Sequence, residues 1–244
     1  MINLDGLNNI PPSSTKLFID VGTSIDAPNA ASWLKDYTDC FVIGIEPNPE
    51  NIDVLRKGRS GNVSFPYLAL DKNIVIQHNE PVAEINDRFC IFECAIDNVE
   101  APTTTSFYMT DDRNSGCSSL LKPTEKLGLD VKKVHQVSVI PLEMILKKLI
   151  PSRFDYVTFL KTDAQGKDID VVKSCKEYLS KILIIQMEVN TGGQYENEQN
   201  LEDIEQFMFS NGFTTLGGNA YDRIYMNKTL SQTIEVPKIK FIET

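Results

Sequence analysis

Apolar residues in this chain come in short runs that end in acidic or small polar residues. Leu17-Phe18-Ile19 leads into Asp20-Val21-Gly22-Thr23-Ser24, which reads as a buried strand over 17–22 feeding a tight turn. A helix over 29–37 follows, with Asn29 as its cap and Trp33 and Leu34 on its inner face. Phe41-Val42-Ile43-Gly44-Ile45 predicts a second buried strand, over 41–46, which ends in Glu46-Pro47-Asn48-Pro49. Pro49 suits the first turn of a helix over 50–57, with Ile52 and Leu55 inward. The stretch 58–89 has strand-like pieces at 63–70 and 74–76 and reads as an insertion. The third strand is expected over 89–95, with 65–69 as the alternative, because Ala69-Leu70-Asp71 resembles Ala95-Ile96-Asp97.

The second half repeats the alternation. A strand over 104–109 is followed by an Asp-rich loop, Asp111 to Cys117, that ends in Ser118-Ser119-Leu120. Over 134–140 the period is two: Val137 and Val139 share one face, Gln136 and Ser138 the other. A helix over 142–149 turns Ile145 and Leu149 inward. A strand over 156–160 runs into Lys161-Thr162-Asp163, and Gln165-Gly166 turns the chain into a helix over 167–179. A strand over 182–189, a helix over 200–210 and an antiparallel pair, 213–216 with 221–226 across Gly217-Gly218-Asn219, complete the chain. Residues 1–15, with Pro11-Pro12, read as a lead-in segment, and 230–244 as a tail over a sheet edge.

Strands alternating with helices predict an α/β fold: a single Rossmann-like domain over 16–244, its sheet mostly parallel, with helices on both faces and an antiparallel terminal hairpin. Ligands of such sheets sit beyond the carboxyl ends of the strands. Asp20, Glu46, Cys94, Asp163 and Glu188 all fall at or near such ends, so five strands converge on one edge. A glycine turn with an acidic residue one strand later is what a ribose-bearing cofactor requires. Glu46 ends a buried strand, where an unpaired carboxylate is costly, and ribose hydroxyls donating to it would satisfy it. The bland alternatives are an ordinary strand-ending turn at Asp20-Gly22 and a salt bridge at Glu46.

Lys161 and Asp163 share a strand face, which gives either a pair oriented toward a substrate, with Asp163 as base, or a structural ion pair. Glu188 and Asn190 could add oxygen ligands suited to Mg²⁺ or Ca²⁺, but a structural ion pair and a capped helix are the favoured account, and no metal is expected. His135 could be a general base near an active edge, but it belongs to the Val137 and Val139 face near the start of its strand, and a surface or satisfied core histidine is the favoured account. His78 lies in the insertion.

Composition narrows the partners. The chain has 244 residues, 41% of them hydrophobic and 24% charged, enough for a sizeable core. Its net charge is -10, and no basic run offers a surface for nucleic acid or an acidic membrane, so neither partner is expected. The five cysteines, Cys40, Cys90, Cys94, Cys117 and Cys175, are scattered, without a C-x-x-C pair. The N-terminus lacks a signal-like pattern and no apolar run spans a bilayer, so a reduced cytoplasmic compartment is expected.

The ordered set of motifs resembles the FkbM-type family of S-adenosylmethionine-dependent methyltransferases. Its first motif is similar to Phe18-Ile19-Asp20-Val21-Gly22 and its second to Glu46-Pro47-Asn48-Pro49-Glu50-Asn51. Glu93-Cys94-Ala95-Ile96-Asp97 and Ser118-Ser119-Leu120 resemble two later ones. The strongest match is Phe159-Leu160-Lys161-Thr162-Asp163-Ala164-Gln165-Gly166, followed by a helix and Ile185-Gln186-Met187-Glu188-Val189. The likeness runs over roughly 16–227. Two positions depart from the family pattern: Thr23-Ser24-Ile25-Asp26 replaces a second small-residue turn, and Gln165 stands where glutamate is usual.

The resemblance implies a class I methyltransferase-like fold that binds S-adenosyl-L-methionine and methylates the hydroxyl of a sugar, glycan or other small molecule. Asp20, Gly22, Thr23 and Ser24 would then shape the turn beside the cofactor's methionine moiety, and Glu46 would hold its ribose. Pro47 and Asn48 would flank the adenine, with Ala95 leaving room for the ring and Cys94 at its edge. Lys161, Asp163 and Glu188 would stand near the acceptor. Two other functions share these features: a nucleoside-binding module without catalysis, and a nicotinamide-dependent oxidoreductase. The latter wants a full G-x-G-x-x-G, which Gly22-Thr23-Ser24-Ile25-Asp26 does not supply.

Overall fold

The computed structural model describes residues 10–25, 27–57, 59–60, 63–64, 87–111, 116–189 and 192–237, together with Leu4, Leu7 and Asn8. The strand period places side chains as it must: in β1 (Lys16–Val21), Leu17, Ile19 and Val21 enter one buried layer and Phe18 enters the other. The first half continues as α1 (Pro28–Asp36), β2 (Cys40–Ile45), α2 (Pro49–Lys57) and a short antiparallel pair, β3 (Arg59–Ser60) with β4 (Val63–Ser64). Next come β5 (Phe89–Phe92), β6 (Ala95–Ile96), β7 (Thr103–Thr110), β8 (Val131–Ile140) and α3 (Glu143–Leu149). The remainder is β9 (Val157–Thr162), α4 (Asp168–Lys173), β10 (Ile182–Glu188), α5 (Leu201–Ser210), β11 (Phe213–Gly218) and β12 (Asp222–Asn227).

Seven strands form one sheet in the order β11-β12-β10-β9-β1-β2-β5. Within it only β12 runs against the rest: it is antiparallel to both β10 and β11, while β5, β2, β1, β9 and β10 are parallel. The connections step outward from β1 to β5 and then restart beside β1 at β9. The strand order therefore reverses between β1 and β9, where the carboxyl ends of an open α/β sheet leave a crevice. Helices cover both faces. Ile145 and Leu149 of α3, Ile169 and Val172 of α4 and Ile204 and Met208 of α5 join the Leu17 layer. Trp33 and Leu34 of α1 and Ile52 and Leu55 of α2 join the Phe18 layer. A separate three-stranded sheet, β6-β8-β7, pairs β6 parallel and β7 antiparallel to β8.

The expected elements among the described residues reappear with three main differences. The third strand leaves the main sheet after Phe92, where Cys94 N–H bonds the Phe92 carbonyl at 3.1 Å and kinks the chain. Ala95 then pairs with Val139 in the small sheet, so one expected strand serves two sheets. The helix expected over 167–179 stops at Lys173 and resumes as a 3-10 segment, Lys176–Lys181, because Lys176 takes a left-handed φ of 51°. Asn29 is not the cap of α1: Ala27 is, without a side-chain bond, and Asn29 is buried in the first turn after Pro28. The alternative third strand at 65–69, the pieces near 74–76, His78 and Asp112 lie outside the described residues.

The lead-in packs rather than frays. Leu7 and Ile10 join the Leu17 layer, and Lys148 donates to the Leu4 carbonyl at 2.7 Å. Arg153 donates to the carbonyls of Pro11 and Ser14. At the other end Leu230, Ile234 and Val236 pack on the Phe18 layer. That layer centres on Trp33, whose ring lies 5.2 Å from both Phe18 and Phe159. Trp33→Ala is expected to cost about 3–5 kcal/mol through the cavity it leaves, read as a lower urea midpoint followed by circular dichroism.

Candidate active site

The crevice at the strand reversal is an open cleft with about 660 Å³ of empty space. Val21, Gly22, Ser24, Ile45, Glu46, Pro47 and Asn51 form its β1–β2 side, and Cys94, Ala95, Ile96 and Phe107 its far side. Ser118, Leu120, Asp163, Ala164 and Lys167 close the remainder. Ten of these are residues of the quoted motifs at 18–22, 46–51, 93–97 and 118–120: Val21, Gly22, Glu46, Pro47, Asn51, Cys94, Ala95, Ile96, Ser118 and Leu120.

Gly22 makes the reversal possible. Its φ is +80°, and a Cβ there would meet the Asp163 carbonyl oxygen at 2.0 Å. Asp163 N–H meanwhile bonds the Val21 carbonyl at 2.9 Å, so the ends of β1 and β9 are held against each other. Only a residue without a side chain fits between them. Ser24 is also left-handed, at φ 63°, and this turns its N–H toward Glu46 Oε2, 2.8 Å away. Asn48 N–H donates to Oε1 at 2.8 Å. Burial pushes the Glu46 carboxyl up to about 7, against the pull of the donors Asn48, Ser24 and Asn51. The carboxylate is thus already cradled by the chain, on a wall of the cleft.

Three expected cofactor residues serve the turn from beneath instead of lining the cleft. Thr23 is fully buried: its Oγ1 donates to the Asp20 carbonyl at 2.9 Å and accepts from Ile45 N–H at 2.9 Å. Asn48 Oδ1 accepts from Glu50 N–H at 2.9 Å and starts α2. Asp20 is fully buried opposite Gly44 on one side and Lys161 on the other. Asp20 and Glu46 therefore sit on neighbouring strands, but only Glu46 reaches the cleft.

At the end of β9, Lys161 is 2% exposed and places Nζ 2.9 Å from Asp163 Oδ2. Burial alone would lower the Lys161 ammonium, but Asp163 and Asp20 outweigh it and its pKa is raised. Burial alone would raise Asp163; Lys161, Gln165 and Glu188 hold it below the usual carboxylate range. The Glu188 carboxyl is pushed up by burial and by Asp163 and Asp168. It faces away from the main cleft into a smaller space lined by Asp168, Ile169, Gln199 and Ile204. Asn190, its expected companion, lies outside the described residues. Among the described residues no group of three His, Cys, Asp or Glu suits a metal ion. No described helix is long and apolar enough to cross a membrane.

Ser118 lines the cleft, whereas Ser119 Oγ donates to the Gln165 carbonyl at 2.7 Å. His135 pairs with Phe107 across the small sheet and does not line the cleft. Lys167, Phe107 and Tyr195 were not singled out from the sequence. Lys167 ties α4 to the motif at 93–97 through Asp97, at 2.8 Å, and Asp170, at 2.6 Å. Phe107 and Met109 repeat the period-two signal of a buried strand face, which could have flagged them. Tyr195 comes from a loop with no periodic signal.

A sheet ordered this way, mostly parallel with a crevice at its reversal, defines an open α/β protein of the Rossmann-like kind. The family model described as the methyltransferase FkbM domain matches residues 20–215, and the chain belongs to that family. A crystal structure of methyltransferase FkbM from Methylobacillus flagellatus KT is similar over 88% of this chain, at 16% identity and a TM-score of 0.46. The match covers 44% of that longer protein. No curated protein matches the chain.

Lys161→Met should leave Asp163 as a buried, uncompensated charge and lower stability by about 3–5 kcal/mol. The double variant with Asp163→Asn should recover part of that loss in the same urea titration.

Proposed function

We propose that the protein transfers the methyl group of S-adenosyl-L-methionine to a hydroxyl of a sugar, glycan or other small molecule. The observation that carries this most is Glu46, a backbone-cradled carboxylate on the same cleft as Asp163. Ser24, Asn48 and Asn51 occupy part of its acceptor capacity, and a carboxylate offers about four lone-pair sites, so a ribose hydroxyl can still donate to it. Cys94, Ala95 and Ile96 offer an apolar slot for an adenine ring beside Pro47. When bound, the cofactor supplies a methyl carbon activated by its sulfonium.

The chain's own part is positioning and proton handling. An acceptor hydroxyl hydrogen-bonded to Asp163 is held with its oxygen toward the cleft, and orientation of this kind supplies much of the rate in a displacement. As that oxygen forms its new bond its proton becomes strongly acidic. A carboxylate held below its usual range by Lys161 is then still a sufficient acceptor. Lys161, buried beneath, keeps the carboxylate in place. All five cysteines are free thiols, which fits a reducing cytoplasm.

Calorimetry with S-adenosylmethionine, its demethylated product and NAD tests the cofactor. Binding of the first two is expected; binding of NAD alone would sink the proposal, and no binding at all would favour a non-catalytic module. Hydroxyl donors favour the ionised form of Glu46, whose carboxyl is pushed up to about 7. Affinity for the demethylated product should accordingly be greatest above that pH and fall by up to about tenfold per unit below it. Glu46→Gln should bind weakly with no such dependence. In an acceptor panel, methylation of a sugar or small-molecule hydroxyl is expected, and exclusive methylation of protein or nucleic acid would refute the acceptor class.

A further inference from the structure

Gln165 holds a position that the cleft chemistry above leaves unused. It is a non-glycine residue at φ 52°, a conformation that persists only where neighbours over-determine it. They do so here. Its carbonyl accepts from Ser119 Oγ, and its side-chain Oε1 lies 2.6 Å from the Tyr195 hydroxyl. That hydroxyl is also 2.9 Å from the Cys117 carbonyl. Tyr195 is itself fixed: its N–H donates to Glu198 Oε2 at 3.0 Å and its backbone bridges Pro123. With Oε1 committed to Tyr195, both hydrogens of the amide point the other way. Nε2 lies 2.7 Å from Asp163 Oδ1 and 2.8 Å from Glu188 Oε2. The opposite amide orientation would set a carbonyl oxygen between two carboxyl groups.

We propose that Gln165 is a positioning residue: its amide clamps Asp163 to Glu188 and holds the Asp163 carboxylate toward the cleft. Tyr195 selects the amide orientation that makes this possible. Two close carboxyl groups share one proton unless something separates their roles. Lys161 on β9 attracts the charge to Asp163. Glu188 on β10 accepts from the same amide and has Asp163 and Asp168 of α4 as acidic neighbours. Asp20 on β1 faces Lys161, and Glu46, Cys117 and Tyr195 complete the groups that feel Asp163. Of these, Gln165 alone donates to both members of the pair. A glutamate at this position would add a third carboxylate and could hold the pair only by taking up a proton itself. The proposal builds on the role given to Asp163 under the proposed function.

The test follows side-chain carboxyl ¹³C signals through a pH titration of labelled ligand-free protein, with Asp163→Asn identifying the lower of the pair's two midpoints. Gln165→Met keeps length and removes both donors; the lower midpoint should rise by about one pH unit, a tenfold change in proton affinity. Tyr195→Phe should move it the same way by less. Gln165→Glu should raise it at least as far as Gln165→Met. If Gln165→Met does not fold, Tyr195→Phe carries the test. A lower midpoint unchanged in the folded variants overturns the clamp. Because no cofactor or acceptor is present, that outcome leaves the calorimetric result for S-adenosylmethionine untouched, and failure of cofactor binding leaves the titration untouched.

Discussion

A positive charge buried at the end of the central sheet constrains most of what surrounds it. Lys161 is sealed from water, and an ammonium so placed must have acidic partners or lose its proton. Asp163 supplies the contact and Asp20 the neighbouring charge, one from each strand at the reversal. Once two carboxylates are gathered around one lysine, the carboxyl of a third, Glu188, is pushed up, and a neutral amide at Gln165 spans the gap. The polar layer is therefore a consequence of one buried cation, and its exposed corner is Asp163.

The cleft above this layer divides by chemistry. Glu46 stands over the end of β2, tied to backbone N–H groups from two turns, so its position does not depend on its being occupied. Asp163 stands over the end of β9, restrained by donors from two side chains, Lys161 and Gln165. Gly22 lies between, and its missing Cβ sets how near the two strands come. On the proposed function, the anchor for a ribose and the acceptor for a proton would stand on separate strands of one sheet. This suits a reaction whose main demand is alignment.

Much of the sheet was legible because each buried run is bounded by a residue that stops it: Asp20 and Gly22, Glu46 and Pro47, Thr162 and Asp163. The same boundaries put Glu46 and Asp163 at one edge before any contact was known. What periodicity could not convey was the direction of side chains past a strand's last residue. Thr23 and Asn48 carry the right chemistry for a ligand, yet spend it on the turn, since unpaired backbone groups lie closer than the cleft does, and Asp20 is buried beside Lys161. The kink at Glu93-Cys94 was invisible because the residues on both sides are equally apolar and only their partners differ. Tyr195 was missed because it acts from an irregular loop, and its partner Gln165 showed in the sequence only as the loss of a charge. In the fold, that loss is what permits two donors toward two carboxyl groups.

The departure of the chain from the main sheet at Phe92 carries its own consequence. One wall of the cleft, at Ala95, Ile96 and Phe107, belongs to the small sheet, while the opposite wall belongs to the seven-stranded one. The outer stretches of that small sheet, at Thr103, Thr104 and Val131 to Val134, are solvent-exposed and carry no core packing. The small-sheet flank can therefore take substitutions one exposed residue at a time at little cost in stability, while any change at the buried lysine unbalances the carboxylates gathered around it.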